Sequence, residues 1–194
     1  MSRVGIFGGT FDPIHHGHLI TAQAIKELRN LDKIIFIPSF ISPHKQNIIV
    51  SAPEHRINMI KLSIEGIPYF DWTDFEIKNK DVSYTIETIH EMKKHFDEIE
   101  LIIGEDNIQT FDKWNSPEEI IRLVTLIVLG RKTISNEESD NQYINKAIYL
   151  NTPRIDISST VIRERVKMGL PINFLVPQKV LKYIYDINLY KDGY

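Results

Sequence analysis

The sequence has no cysteine among its 194 residues. Disulfide bonds, thiolate nucleophiles and cysteine-ligated zinc sites are therefore excluded together. The sequence also lacks any apolar run that approaches the roughly 18 residues of a membrane-spanning helix. Its opening residues are typical of a strand rather than of a signal peptide. We therefore expect a cytoplasmic protein that does not enter a membrane.

The chain also has little net charge, −3 at pH 7. A weakly negative chain has no overall attraction for nucleic acid or for an anionic membrane, so neither is expected as a partner and any anion site must be local. With 42% hydrophobic and 25% charged residues the composition is globular. Because this length suffices for one well-buried core but hardly for two, we predict a single domain over residues 1–194.

The most informative stretch runs from Val4 to Leu19 and reads VGIFGGTFDPIHHGHL. Its first apolar residues predict a buried strand that ends at Gly8-Gly9, where the backbone can turn and lie close to a ligand. An amphipathic helix is predicted to begin near His18. In open α/β sheets such a junction binds anions, because the helix start contributes free N–H groups and the positive end of the helix dipole.

Two histidines stand in this junction, His15 and His18, with Gly17 between them. The spacing matches neither the dinucleotide-binding glycine pattern nor a P-loop, which would carry a lysine where this stretch has histidines. We interpret the two histidines as donors aimed at one anionic group. The alternative is a transition-metal site, which is weaker because Asp12 alone does not complete a closed set of ligands.

After this stretch, short apolar runs alternate with amphipathic segments. Buried strands are predicted at 33–38, 99–103, 123–129 and 148–150, and an edge strand at 69–77. Two helices are predicted to follow capping boxes that begin at Ser51 and Ser116. Three more are predicted to begin at residue 82, to begin after Ser158 and to run over 177–185. The alternation predicts an α/β fold of Rossmann type, an open parallel sheet with helices on both faces.

Further candidate residues follow the predicted strands at one edge of the sheet. Lys45 lies in a polar loop after the second strand, where solvation is the simpler interpretation. Gly104 and Asp106 would let a ribose approach and accept its hydrogen bonds, with capping by Asp106 as an equal alternative. Arg131 can grip a phosphate or a carboxylate with two nitrogens. Arg56, in a helix, is interpreted as a solvated or scaffold charge, or as turned toward the substrate loop.

Near the end of the chain, Ser158-Ser159 opens a helix and Arg163 lies about one turn into it. Hydroxyl groups and free N–H groups at a helix start suit a phosphate, and Arg163 is expected on the same side. Capping would account for either serine but not for the arginine. Trp114, in a loop, could stack on a heteroaromatic ring, with core packing as the alternative.

Two segments together resemble the signatures of one nucleotidyltransferase superfamily. The segments are GGTFDP with HHGH at 8–18, similar to the [TH]-x-G-H motif, and ISSTVIR at 157–163, similar to I-S-S-T-x-I-R. Members transfer a nucleoside monophosphate from a nucleoside triphosphate to a phosphate-bearing acceptor and release pyrophosphate. From the opening stretch alone, enzymes for phosphopantetheine, nicotinate mononucleotide, FMN and glycerol-3-phosphate stay open.

Three further segments of the chain resemble the sequences of the bacterial nicotinate-nucleotide adenylyltransferase family. They are Pro43-His44-Lys45, Tyr84-Thr85 and Trp114. The resemblance implies ATP and nicotinate mononucleotide as substrates, with Mg²⁺ held mainly by ATP phosphates rather than by a protein metal site. It implies these ATP-binding residues: Gly8, Gly9, Thr10, Phe11, His15, His18, Gly104, Asp106, Ser158, Ser159 and Arg163. Of these, His15, His18 and Arg163 would be catalytic, whereas the nicotinate nucleotide would contact Lys45, Thr85, Trp114 and Arg131.

Two alternatives to this function stay open. The acceptor could be phosphopantetheine, against which Trp114 and the Tyr84-Thr85 pair argue. The chain could instead be a nucleotide-binding sensor without turnover, against which the intact His15, His18 and Arg163 argue. A homo-oligomer is kept as an open alternative for the assembly. Asn115 and Glu105 differ from the residues usual in the family, and both differences concern pyridine recognition.

Overall fold

The computed structural model describes residues 2–40, 50–79, 84–130 and 141–191. The described residues form a parallel sheet in the order β3-β2-β1-β4-β5-β6. Its strands are β1 Arg3–Gly9, β2 Lys33–Pro38, β3 Phe70–Trp72, β4 Glu98–Gly104, β5 Thr125–Leu129 and β6 Ile148–Leu150. Strand order reverses between β1 and β4, which is the switch point of a Rossmann-type sheet.

Helices connect or follow the strands. They are α1 His16–Arg29, α2 Pro53–Ile64, α3 Phe75–Asn79, α4 Thr85–Lys93, α5 Glu105–Ile108, α6 Pro117–Leu123, α7 Ser159–Lys167 and α8 Gln178–Asp186. Single 3₁₀ turns lie at Phe111–Lys113 and Ile144–Lys146. Within the described ranges, no helix combines the length and apolar character needed to cross a membrane.

Side chains alternate between the two faces of the sheet, and each face has its own apolar core. Phe7 and Phe36 belong to the core that also contains side chains of α1, α2, α7 and α8. Ile6 and Ile35 point to the other face and pack with side chains of α4 and α6. The predicted open parallel sheet with helices on both faces is therefore confirmed, whereas the single domain over residues 1–194 stays a prediction.

The strand predicted at 69–77 is only partly correct. Phe70–Trp72 forms the edge strand β3, as its charges indicated, but helix α3 begins at Phe75. The Phe75 N–H donates to the Thr73 hydroxyl at 3.3 Å, and the Lys78 N–H donates to the Asp74 carbonyl at 2.9 Å. These local bonds start a helical turn where the alternation of residue types favoured a continued strand.

Both predicted capping boxes are wrong. Helix α2 begins after Ala52, with a proline in its first turn and without a side-chain cap, and the Ser51 N–H donates to Asp12 Oδ2 at 3.0 Å. Ser116 has left-handed backbone angles and makes no capping bond. Both helices nevertheless begin near the predicted residues, because proline at the first helical positions presets the backbone.

Candidate active site

A cavity of about 420 Å³ opens where β1 and β4 end. Parallel pairing aligns Phe7 with Ile102, so the chain leaves both strands at the same edge of the sheet. The predicted site residues that line the cavity are Gly8, Gly9, Thr10, His18, Thr85, Gly104 and Trp114. A concave site at the switch point is where open α/β sheets bind ligands.

His18 is oriented by the backbone of the residue that precedes helix α1. The His15 N–H donates to His18 Nδ1 at 3.3 Å, and the His18 N–H donates to the His15 carbonyl at 3.0 Å. Phe11 packs edge-on against the His18 ring, with centroids 5.0 Å apart. Because Nδ1 accepts a hydrogen bond, the proton of the neutral ring lies on Nε2. His18 can therefore act as a hydrogen-bond donor within the cavity.

His15 occupies a different environment from His18. Its side chain is 5% exposed, and its ring stacks on that of His18 with centroids 3.7 Å apart. A Cβ on Gly17 would lie 3.0 Å from the His15 ring, so the glycine leaves room for it. Burial, followed by repulsion from His16, lowers the pKa of His15 to about 4. The His15 ring is therefore neutral near pH 7.

The stacked rings also bear on the metal alternative. The planes of His15 and His18 differ by only 21°. The lone pair of an imidazole nitrogen lies in the ring plane, and zinc needs two such nitrogens at about 2.1 Å pointing at one centre. Two nearly parallel rings do not converge in this way. Within the described ranges, no group of three or more histidine, aspartate or glutamate residues has the geometry to hold a metal ion.

The burial of neutral His15 predicts acid-sensitive folding. The unfolded chain takes up a proton at the ordinary pKa of 6.5, whereas the folded chain does so only near 4. Stability is therefore lost as pH falls from 6.5 toward 4, by about 3 kcal/mol from this group. Urea unfolding across that pH range measures the loss. His15→Gln should flatten the slope, and parallel slopes for the two proteins would contradict the assignment.

Arg163 of α7 is half-buried and lies against the opening loop, residues 10–15 between β1 and α1. Its Nη1 donates to the Asp12 carbonyl at 2.7 Å, and its Nη2 donates to the Thr160 hydroxyl at 3.3 Å. The bond to Asp12 spans 151 residues of sequence and brings together the motifs at 8–18 and 157–163. The planar guanidinium is held by a backbone and a hydroxyl acceptor, and among the described residues no carboxylate forms an ion pair with it.

The two serines at the start of α7 have separate partners. Ser158 is the N-cap residue, and its hydroxyl accepts the Val161 N–H at 3.2 Å. The Ser159 hydroxyl donates to the Pro13 carbonyl at 2.9 Å. Capping therefore explains Ser158, whereas Ser159 fastens the start of α7 to the opening loop. The bond of Ser159 to Pro13 places the start of α7 next to the loop that carries His15.

The remaining ATP-binding candidates differ in exposure. Phe11 is buried, and its ring would lie 2.9 Å from a Cβ on Gly9, which explains the need for glycine there. Asp106 is exposed on the short helix α5. Lys45 and Arg131 lie outside the described residues, so their roles stay predictions.

Thr85 and Trp114 lie on the side of the cavity formed by α4 and the 3₁₀ turn. Thr85 is the first residue of α4, and Trp114 follows the turn at Phe111–Lys113. The Trp114 ring packs on Phe111 with centroids 5.0 Å apart, and it also lines the cavity. Core packing and a surface for ring stacking are therefore compatible at Trp114.

For Arg56 the structure decides between the interpretations that the sequence left open. It is 0% exposed rather than solvated, and its Nε donates to the Ser51 carbonyl at 3.1 Å. Its Nη1 donates to the carbonyls of Thr10 at 2.9 Å and Ser39 at 2.7 Å. Arg56 is therefore a scaffold charge, as one of the three interpretations had it, and it holds the backbone of Thr10 next to that of Ser39 and Ser51. Helical spacing from the buried Met59 was the signal that could have indicated its burial.

Comparison with known proteins gives matches over nearly the whole chain. The family described as cytidylyltransferase-like matches residues 6–165. A "probable nicotinate-nucleotide adenylyltransferase" of Caldicellulosiruptor saccharolyticus is 42% identical, over 98% of this chain and 100% of that protein. A protein of the same name from Clostridium botulinum is 41% identical, over 99% of this chain and 100% of its own length.

Solved structures share the fold at lower identity. The Plasmodium falciparum nicotinic acid mononucleotide adenylyltransferase complexed with NaAD matches with a TM-score of 0.75 and 21% identity, over 98% of each chain. That likeness concerns the fold alone. Together with the full-length sequence matches above 40% identity, the family match shows that the chain belongs to the nicotinate-nucleotide adenylyltransferase family, within the cytidylyltransferase-like group.

Proposed function

We propose that this chain transfers the adenylyl group of ATP to nicotinate mononucleotide, giving nicotinate adenine dinucleotide and pyrophosphate in NAD biosynthesis. The observation that carries the proposal is the meeting of two motifs beside one cavity. Arg163 donates to the Asp12 carbonyl in the loop that also carries His18. The cavity lined by His18 is lined as well by Thr85 and Trp114. The names of the full-length relatives support the same reaction.

In this reaction an acceptor phosphate oxygen attacks the α-phosphorus of ATP in line. The new P–O bond forms as the bond from the α-phosphorus to the bridging oxygen breaks, and pyrophosphate carries away the electron pair. A phosphate oxygen that is already ionised needs no general base, and no enzyme side chain becomes covalently bound. Catalysis then consists of positioning the reactants and stabilising the developing charge.

The donors of the site suit these tasks. We assign His18 to the α-phosphate and its developing charge, because Nδ1 is occupied by a backbone N–H and Nε2 therefore carries the donor proton. We assign Arg163 and the start of α7 to the β- and γ-phosphates, since a guanidinium and free helix N–H groups both bind phosphate oxygens. His15, neutral and stacked behind His18, would complete the binding of the triphosphate.

For the acceptor we assign Thr85 and Trp114 to the pyridine ring and its carboxylate. Stacking on an aromatic side chain contributes about 1 to 3 kcal/mol, by analogy with nucleic-acid bases. Lys45 and Arg131 are proposed as contacts of the nicotinate nucleotide on the resemblance alone.

We treat Mg²⁺ as part of the substrate MgATP rather than as a resident metal. The buried carboxylate of Asp12 does not fit a metal-ligand role, because its two oxygens accept the Ser51 N–H and the Tyr190 hydroxyl. The phosphates of ATP would therefore supply most of the ligands. We further propose that the protein works in the cytoplasm on small molecules.

The proposal is tested by pyrophosphate release from MgATP with three acceptors in parallel: nicotinate mononucleotide, its amide counterpart and phosphopantetheine. We expect the fastest release with nicotinate mononucleotide. Fast release only with phosphopantetheine would keep the chemistry but overturn the acceptor assignment. ATP binding without release for any acceptor would instead favour a nucleotide sensor.

A further inference from the structure

The segment after α8 places one tyrosine deep behind the opening loop. Tyr190 is 5% exposed and has left-handed backbone angles, with φ at 71°, which bulky residues rarely adopt. Its hydroxyl donates to Asp12 Oδ1 at 2.7 Å, across 178 residues of sequence. The surrounding core therefore holds a strained backbone in a position where one hydroxyl meets one buried carboxylate.

Asp12 joins this tyrosine to the proposed phosphate-binding arginine. Its carboxylate is 1% exposed and accepts the Ser51 N–H as well as the Tyr190 hydroxyl. Its backbone carbonyl accepts the bond from Arg163 Nη1. The side chain and the carbonyl belong to one residue, so the hydrogen bonds to the carboxylate fix the orientation of the peptide that holds Arg163.

We infer that Tyr190 is a positioning residue that acts through Asp12 on Arg163. The inference deepens the proposed function, since it takes Arg163 as the group that grips the ATP phosphates. Functional side chains must be held within about 0.5 Å of the productive geometry, and a shift of about 1 Å costs up to about 100-fold in rate. The side chain of Arg163 has several rotatable bonds, and of its two hydrogen bonds the shorter one, to the Asp12 carbonyl, fixes it against the opening loop.

Removal of the hydroxyl disturbs this arrangement without removing the ring. In Tyr190→Phe the aromatic packing is kept, whereas Asp12 Oδ1 loses its donor in a buried site, which is costly for a carboxylate. We expect the carboxylate to turn and to shift the Asp12 carbonyl away from Arg163. The effect should fall on ATP rather than on the acceptor, because the residues assigned to the pyridine lie on the other side of the cavity.

The test is Tyr190→Phe in the full-length chain, with direct MgATP binding by calorimetry and steady-state kinetics for both substrates. We expect the MgATP Kd to rise about tenfold and kcat/KM for ATP to fall about 10- to 100-fold. The KM for nicotinate mononucleotide should stay unchanged. A lower melting temperature with an unchanged MgATP Kd would overturn the inference, since it would mean a purely structural role.

Tyr183→Phe is the matched control. It also deletes one hydroxyl near the end of the chain, but that hydroxyl contacts His55 at 2.8 Å and accepts a bond from Asn58 at 3.3 Å on α2. We expect unchanged MgATP affinity and unchanged kinetics for this variant. A loss of ATP affinity equal to that of Tyr190→Phe would overturn the inference, because it would show a general effect of loosening the C-terminal segment.

A double-mutant cycle tests the route through Arg163. In an Arg163→Ala background, Tyr190→Phe should add no further loss of MgATP affinity, whereas additive losses would contradict the route. If Tyr190→Phe does not fold, Asp12→Asn replaces one acceptor oxygen by a donor and should give the same ATP-selective loss. A wild type that binds MgATP but does not react with nicotinate mononucleotide would sink the proposed function, while the MgATP Kd values would still decide the role of Tyr190.

Discussion

His18→Ala should lower kcat about 100- to 1,000-fold, by analogy with the loss of one donor from an oxyanion hole. The expectation follows from the hydrogen bond that His18 Nδ1 accepts from the His15 N–H, which leaves the ring proton on Nε2. A donor held in this way can strengthen its bond as negative charge develops on the α-phosphate, without reorganising. Steady-state pyrophosphate release at saturating MgATP and acceptor measures the loss.

His16→Ala is the control for His18→Ala. His16 is the first residue of the same helix, and no site role is assigned to it, so we expect its kcat to match that of the wild type. His18→Gln adds a second comparison, because its amide nitrogen can take the place of Nε2 but leaves the His15 N–H without its ring acceptor. Partial activity of His18→Gln would support a donor role. Near-normal turnover of His18→Ala would contradict it.

The fold was predictable because its signals are local. β2 and β6 have the bounds that their apolar residues predicted, and β4 extends one residue further at each end. Short runs of β-branched residues between segments with helical spacing of apolar residues are enough to indicate buried parallel strands. The predictions failed where a residue with a clear local sequence pattern forms a hydrogen bond to a distant part of the chain instead. Ser51 has the sequence pattern of a cap, but its N–H is taken by Asp12 from another part of the chain.

The position of the site at one edge of the sheet was also predictable from the sequence. Residues that follow strands could be placed at one edge of the sheet, and Gly104, Thr85 and Trp114 do line the cavity with His18. The sequence could not separate His18 from His15, because only the packing of His15 against Gly17 shows which ring is buried. It also gave no indication that Tyr190 reaches Asp12, since a contact across 178 residues leaves no periodic signal.

Arg56→Leu should lower the free energy of unfolding by about 3 to 5 kcal/mol, the usual cost of breaking a buried charged network. Arg56 donates to three backbone carbonyls, those of Ser51, Thr10 and Ser39, and each would lose a buried donor. Burial lowers the pKa of Arg56 below its ordinary value, while the Asp12 carboxylate opposes that shift. Leucine would also remove the favourable electrostatic interaction between Arg56 and the Asp12 carboxylate. Urea unfolding near pH 7 measures the difference.

Arg165→Leu is the control, because it shows how much stability is lost when an exposed arginine is replaced by leucine. Arg165 also donates from Nε to a backbone carbonyl, that of Pro171 at 2.9 Å, but the bond is exposed. Water can replace the lost donor there, so the expected cost is below about 1 kcal/mol. Equal losses for the two variants would contradict the buried network. A larger loss for Arg56→Leu would mean that the opening loop is held in place by a charge that lies entirely within the core.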